Sequence, residues 1–422
     1  MRVAHLLRKY NPSEWGGTES AVLQLARALK TQGVESVVYA PSIPANGHDA
    51  DPFADAGFRV KRFRASIPMW GISDERRNEM IAVGGNVISF DLARTLLCER
   101  GVDVIHSHAQ GRLGAIGSMV ARARRVPFVV SIHGGAYDLP AVTRAHLARA
   151  ATGGWDWGKP IGLMLGARNL IAKSDAILTL NPKEAALIRK RHPDLKVYSE
   201  SHGIATNDFT GDCRAQALAA FPEIGDRPVL LVLGRIDPTK NQDWLVAETA
   251  ELVRRHPDVL IILAGACTNR EYGKSLELRI ARGGFHQNIL VAGPLPSGDP
   301  RLVGLLQLSR ALVLPSTSET FGLVILEAWA AGTPVVSSRT SGATGLIDEG
   351  RNGLLFDLES PGTFHRAVDL VLANPEVALA MGLAGRQKAV KEYDTAVCAG
   401  KMRNLYEQLV EEKNALRHPE GR

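Results

Sequence analysis

Cysteine is scarce in this chain of 422 residues: Cys98, Cys213, Cys267 and Cys398 are the four, far apart and without a Cys-x-x-Cys pair. Neither a disulfide framework nor a thiolate zinc site is therefore expected, and a reducing, cytoplasmic setting fits. Long apolar runs are missing as well. No stretch approaches the ~18 residues of a membrane span, and the opening MRVAHLLRKYN breaks into charge too soon for a signal peptide, so a chain that does not cross a membrane is expected. No short-period repeat or low-complexity tract appears, which excludes solenoids and biased linkers. The basic clusters RVKRFR (Arg59 to Arg64), RARR (Arg122 to Arg125) and RKR (Arg189 to Arg191) lie scattered and outside any recognisable nucleic-acid module. Solvated surface is the expectation for them, with no nucleic-acid partner.

What the chain does have is core. Hydrophobic residues make up 45%, as in an ordinary globular protein, and 422 residues exceed what one core of ~250–300 residues supports, so two domains are expected. Short β-branched runs alternate with amphipathic helical stretches: VAHLL (Val3 to Leu7), SVVYA (Ser36 to Ala40), DVIHSH (Asp103 to His108), PFVVSIH (Pro127 to His133), AILTL (Ala176 to Leu180) and KVYSE (Lys196 to Glu200). A first helix over about Thr18 to Lys30 puts Ala21, Val22, Leu25, Ala26 and Leu29 on one face. The rhythm then begins again with PVLLVL (Pro228 to Leu233), VLIILAG (Val259 to Gly265), NILVAG (Asn288 to Gly293), ALVLP (Ala311 to Pro315) and PVVSS (Pro334 to Ser338). Such β-α-β order predicts two doubly wound, Rossmann-like parallel sheets in tandem, over residues 1–205 and 206–395. The tail 396–422 is a charged amphipathic helix in which Met402, Leu405, Tyr406 and Leu409 are spaced to pack on one of the two domains.

Charge is split between the halves. Residues 1–205 carry 27 Lys and Arg against 18 Asp and Glu, a net +9, while residues 206–422 carry 23 against 26, a net −3.

The stretch SETFGLVILEAWAAGTPVVSS (Ser318 to Ser338) reads as loop, helix, glycine stop and strand, with Glu327 the only charge in an apolar helical run. An unpaired buried carboxylate is expensive, so Glu327 needs either a dedicated partner in the fold or a ligand rich in donors. Glu319 falls in a loop at the carboxyl end of a parallel strand, where open α/β sheets hold ligands. A helix start near Phe321 would leave the amides of Phe321, Gly322 and Leu323 free for an anion such as phosphate, with Gly322 allowing close approach.

Glu319 and Glu327 form E-x7-E within ETFGLVILEAWAAGTPVV, and this resembles the signature of the retaining glycosyltransferases of family four, which have the GT-B fold of two Rossmann-like domains facing each other across a cleft. LGRIDPTKN resembles the family's GR-x4-K segment, with Arg235 and Lys240; WGGTESAVLQLARAL its glycine-rich first loop and helix, with Gly16 and Gly17; SIHGG its fourth-strand segment, with His133; and SHGIATNDF the segment leading into the second domain. Where this chain has His202-Gly203, the family more often has Asn-Gly.

Each residue also has a plainer reading. Glu319 could cap the helix, Arg235 and Lys240 could be solvated cations, Gly16-Gly17 could be an ordinary turn, and His133 a satisfied turn residue. The resemblance instead implies that Glu327 holds the nucleotide ribose, Glu319 and His133 the donor sugar, and Arg235 with Lys240 the donor diphosphate, no metal or cofactor being required. His106 and His108 form an H-x-H that lacks a carboxylate partner and makes a poor zinc site, so a structural role is expected for both. The implied function is transfer of a sugar from a nucleotide-diphosphate donor to a hydroxyl acceptor. A sugar-nucleotide epimerase of the same fold and a non-catalytic nucleotide-sugar-binding protein are the alternatives. The +9 charge of the front half suggests a lipid-linked or otherwise anionic acceptor, and peripheral contact with the inner face of a membrane.

Overall fold

The computed structural model describes residues 1–10, 17–42, 51–74, 77, 80, 87–133, 155–201 and 203–417. The chain divides into two compact units, Met1–Gly203 with Thr395–Arg422, and Ile204–Asp394.

Unit 1 is built on a seven-stranded sheet. In chain order its strands are β1 (Arg2–Leu6), β2 (Glu35–Ser42), β3 (Arg59–Arg64), β5 (Val104–Ser107), β6 (Phe128–Ile132), β8 (Ala176–Thr179) and β9 (Lys196–Ser199), while β4 (Met69–Trp70) and β7 (Trp155–Asp156) form a separate antiparallel ribbon. The spatial order is β3-β2-β1-β5-β6-β8-β9, with every pairing parallel. Strands β5, β6 and β8 are buried along their whole length, as parallel strands covered on both faces must be. One face is covered in part by the helix Thr395–Arg417, whose Met402, Leu405, Tyr406 and Leu409 pack with Val3, Val104, Val129 and Leu178.

The basic cluster Arg59 to Arg64, expected to be solvated surface, is instead the edge strand β3. Arg59 and Lys61 both pair with buried Glu99, and Arg62 pairs with Asp51 at 2.9 Å. Charge on a sheet edge discourages pairing with another chain, so this cluster does a structural job. The second cluster is also partly consumed. Arg124 donates to the carbonyl of Leu96 at 2.9 Å and to that of Glu99, and Arg125 (φ 56°) is the left-handed residue that ends the helix Gly111–Arg124.

Unit 2 holds β10 (Val229–Leu233), β11 (Leu260–Ala264), β12 (Ile289–Gly293), β13 (Ser309–Leu314), β14 (Val335–Ser338) and β15 (Gly353–Phe356) in the order β12-β11-β10-β13-β14-β15, all parallel. Its central strands VLLVL and LIILA are wholly buried. The helix Leu323–Ala330 carries Glu327 and is held by the helix Pro375–Tyr393 at very short range. A Cβ on Gly382 would lie 1.9 Å from the carbonyl oxygen of Gly332, and one on Gly385 would lie 2.2 Å from Cδ1 of fully buried Trp329. Trp329 in turn donates through Nε1 to the carbonyl of Asn352 at 2.8 Å.

This packing predicts the sign of a helix-interior Gly→Ala change. Alanine normally stabilises a helix by up to ~1 kcal/mol over glycine, but at Gly385 the added methyl meets the indole and overpacking of ~1–3 kcal/mol wins. Urea unfolding should show Gly385→Ala destabilised and Gly211→Ala, where a Cβ meets nothing within 4 Å, near neutral; equal midpoints would contradict this account of the packing.

Candidate functional site

β10 and β13 lie side by side, yet the chain continues from β10 to β11 and β12 on one side and from β13 to β14 and β15 on the other. The loops at their carboxyl ends therefore part around a crevice, the position where open α/β sheets bind ligands.

The loop after β10 is shaped by glycine and one buried acid. Gly234 (φ 150°) and Gly265 (φ 154°) end the neighbouring strands β10 and β11, and a Cβ on Gly265 would lie 1.9 Å from the Gly234 carbonyl oxygen. Asp237, nearly buried, accepts from the amides of Thr239 at 2.9 Å and Lys240 at 3.0 Å, which folds the segment into a turn. Arg235 is 62% exposed, 3.2 Å from Asp237, and its carbonyl accepts from Gln242 at 2.8 Å. Lys240 runs its stem past Gly234 and pairs through Nζ with Glu319.

The loop after β13 is stitched to this one: the Thr317 amide donates to the Thr239 carbonyl at 2.9 Å, and Asn241 donates to the Pro315 carbonyl at 3.1 Å. The Glu319 carbonyl accepts from the amide of Gly342 at 2.8 Å. Phe321 is buried, its ring 6.1 Å from that of Tyr393, and its backbone is so close to Gly342 that a Cβ there would come within 2.6 Å.

The sequence places the helix start near Phe321; the helix begins at Leu323. The reason is Gly322, whose φ of 97° leaves the helical region. The amides of Phe321, Gly322, Leu323 and Val324 have no hydrogen bond among the described residues, so four donors and the positive end of the helix dipole stand unpaired. One turn along, Glu327 is buried, and its one hydrogen bond among the described residues comes from Ser297 Oγ at 2.6 Å, in the loop after β12. Burial pushes the Glu327 carboxyl above its ordinary value, and the Ser297 bond only partly opposes this.

Unit 2 thus brings together Arg235, Lys240, Glu319, Phe321, Gly322, Leu323 and Glu327. The other two described candidates belong to unit 1, and Gly16 lies outside the described residues, as does His202. Gly17 opens the helix Gly17–Thr31, and a Cβ there would meet nothing within 4 Å. His133 follows β6, half-buried, with Nε2 2.9 Å from Nδ1 of His108.

Sequence reasoning had no signal for the partners of these residues: Ser297, Asp237 and His5 become visible only through the sheet order. His5 on β1 is paired in register with His106 on β5. Its Nδ1 lies 3.2 Å from Nε2 of His108, and its Nε2 lies 3.3 Å from Ser36 Oγ. Ser36, His5, His108 and His133 therefore form a chain in which the tautomers are coupled: whichever nitrogen of a neutral His108 carries the proton, the other must accept. His5, His106 and His108 also present nitrogens within 4.8 Å of one another. No carboxylate joins them among the described residues, and both His106 nitrogens are engaged at 2.7 Å, by Tyr406 Oη and Ser131 Oγ, an arrangement that suits a structural hydrogen-bond cluster better than a zinc site. The chain has one Asp-x-Asp, at 49–51. Asp51 caps the helix Pro52–Asp55 and binds Arg62 and Tyr10, so its carboxylate is already taken.

Residues 16–196 match the family described as "Glycosyl transferase 4-like domain" and residues 215–388 the family "Glycosyl transferases group 1". The D-inositol 3-phosphate glycosyltransferase of Frankia alni is 30% identical over 88% of this chain and 90% of its own, and that of Saccharomonospora viridis is 31% identical over 92% and 90%. Among solved structures, Anabaena HepE in complex with UDP superposes with a TM-score of 0.73 at 17% identity, covering 97% of this chain and 100% of that one. Sucrose-phosphate synthase from Thermosynechococcus elongatus gives 0.70 at 22%, covering 97% and 99%. The two parallel-sheet units define a glycosyltransferase of the GT-B fold. The chain belongs to the glycosyltransferases of family four, which sets aside the epimerase and the non-catalytic binding protein.

A carboxylate buried with one hydroxyl donor among the described residues costs stability, and the sign with pH follows. The folded state holds the Glu327 proton more tightly than the unfolded chain, whose carboxyl has the ordinary value of 4.5. Stability therefore falls as pH rises from 4.5 through the raised value, and the penalty is complete above it. Glu327→Gln should raise ligand-free stability at neutral pH by on the order of 1 kcal/mol, with the gain vanishing toward the unfolded carboxyl value. Denaturant melts at several pH values check this, and a destabilised Gln variant at neutral pH would overturn it.

Proposed function

We propose that this glycosyltransferase takes its sugar from a nucleoside-diphosphate sugar and delivers it to a hydroxyl acceptor with retention at the anomeric carbon, without a divalent metal or other cofactor. The observation that carries the reading is the edge of unit 2 where four amides at the start of the helix Leu323–Ala330, unpaired among the described residues, meet the loop that carries Lys240 and Arg235, with Glu327 buried one turn along the same helix. Complexes of the similar HepE with UDP and with UDP-glucose support a donor of this class.

In this reading the bond from the anomeric carbon to the β-phosphate oxygen breaks, and that oxygen keeps the electron pair. The developing charge is met by the amides of Gly322 and its neighbours, by the Arg235 fork and by the Lys240 ammonium, which together replace a metal. Glu327 accepts from the ribose hydroxyls, which add donors to that of Ser297. The Lys240–Glu319 ion pair gives the site a further property: a diphosphate competing for Lys240 frees Glu319 to accept from a sugar hydroxyl, so that leaving-group binding and sugar placement are linked. The family resemblance assigns His133 to the donor sugar as well, and within unit 1 its ring is held by His108. The acceptor oxygen attacks from the face the phosphate leaves, and the departing phosphate takes its proton.

An anionic acceptor fits the +9 charge of residues 1–205 and the names of the relatives, which specify D-inositol 3-phosphate. No single helix among the described residues is long and apolar enough to cross a membrane. Loose attachment at the cytoplasmic face of an anionic membrane, at ~1 kcal/mol per basic residue near the surface, completes the proposal.

The test is sugar transfer in the presence of EDTA with UDP-, GDP- and ADP-sugars. Turnover should persist with one of them, and Glu319→Ala should lower kcat by about tenfold more than it weakens nucleoside-diphosphate affinity, because its contact is with the sugar. Activity abolished by the chelator and restored by magnesium or manganese would overturn the metal-free clamp, and equal losses in kcat and affinity would remove Glu319 from the sugar.

A further inference from the structure

Unit 1 has its own switch point: β1 and β5 are neighbours, and the chain continues from β1 to β2 and β3 on one side and from β5 to β6, β8 and β9 on the other. A cavity of 420 Å³ opens beside their carboxyl ends, lined by Arg8, just past β1, by Gln110 and Gly111, just past β5, and by Arg112, Lys159 and Arg168. Among the described residues that line it, four are cationic and none is acidic.

The cations are held in two ways. Arg112 is 9% exposed and its guanidinium donates to Asp156 at 2.6 Å, so it is neutralised in place. Arg8, Lys159 and Arg168 are exposed, and none of them has an ion pair or hydrogen bond among the described residues. Three like charges on one concave wall repel each other until an anion enters, and each fork or ammonium then gains a charge-assisted bond. The wall itself is built. A Cβ on Gly158 would lie 2.6 Å from Pro68 and 2.9 Å from Cζ of Arg112, and one on Gly162 would lie 3.2 Å from Nε of Arg112. Glycine at both positions lets the helix Gly158–Met164 lie against the buried arginine, and that helix carries Lys159 to the cavity. At the opposite wall the helix Gly111–Arg124 begins at Gly111 (φ 65°), and Gln110 before it makes no side-chain cap. Its first amides add to the same positive wall.

We propose that this cavity binds a phosphate group of the acceptor. Two guanidinium forks and a mobile ammonium match the oxygens of a phosphate ester, whether it belongs to a soluble polyol phosphate or to a lipid headgroup. Leu163, 64% exposed on the cavity rim, offers apolar contact to the remainder of either molecule. The inference rests on the reading of the acceptor as anionic and names the site that would read the anion.

The full chain, with unit 2 filled by saturating nucleoside diphosphate, is titrated with inorganic phosphate and with glycerol 3-phosphate, and sedimented with vesicles of phosphatidylglycerol in phosphatidylcholine. The Arg8→Gln, Arg168→Gln double variant should bind phosphate about tenfold or more weaker, while its affinity for nucleoside diphosphate stays that of the parent, which shows that it is folded. Saturable glycerol 3-phosphate binding without sedimentation supports a soluble phosphate ester. Sedimentation that the double variant loses supports a lipid headgroup. Equal phosphate affinity in parent and variant, or no binding in either arm, overturns the proposal. If instead no nucleoside diphosphate binds but Arg8-dependent phosphate binding remains, the donor reading falls and this site stands.

Discussion

The parallel pairing of β10 with β13 is the interaction on which the candidate donor site depends. It brings two loops 79 residues apart in sequence, at Lys240 and Glu319, to one edge of the sheet, and the bonds from Thr317 to Thr239 and from Asn241 to Pro315 lock them there. Once those loops are fixed, the helix that follows must start beside them with its first amides unpaired. Donors of the kind that suit an anion then stand together before any ligand-specific side chain is considered. The glycines at 234, 265, 322 and 342 follow from the same constraint, because each lies where the backbone turns out of the allowed region or another chain segment comes too close for a Cβ.

Against that rigid frame the fold tolerates charges that do not stabilise it. Among the described residues, Glu327 sits buried on one hydroxyl, Lys240 and Glu319 pair at the sheet edge, and Arg8, Lys159 and Arg168 line a cavity without counter-charge. A core optimised for stability would have removed them. They are tolerable because the neighbouring packing is tight: Trp329 locked by Gly385 and Asn352 in unit 2, and Arg112 locked by Asp156 beneath Gly158 and Gly162 in unit 1.

Much of this was legible in the residues. Runs such as VLLVL and LIILA could be little other than strands buried on both faces, and a lone glutamate in an apolar helix announces a site. What was not legible depends on neighbours distant in sequence. RVKRFR looks like surface charge and is an edge strand, because an edge is where charged strands are tolerated. The helix begins at Leu323 and not at Phe321 because Gly322 takes a positive φ that its identity permits but does not dictate. Ser297 and His5 carry no local motif at all; they matter through a carboxylate 30 residues away and an imidazole 103 residues away.

The central claim is that a nucleoside diphosphate occupies the carboxyl edge between β10 and β13. A crystal structure of the chain with UDP, GDP or ADP tests it most directly. The account predicts phosphate oxygens within hydrogen-bond distance of the Gly322 and Leu323 amides and of Lys240 Nζ, with the ribose hydroxyls on Glu327. A nucleotide bound elsewhere, with Glu327 still bonded to Ser297 alone, would contradict it.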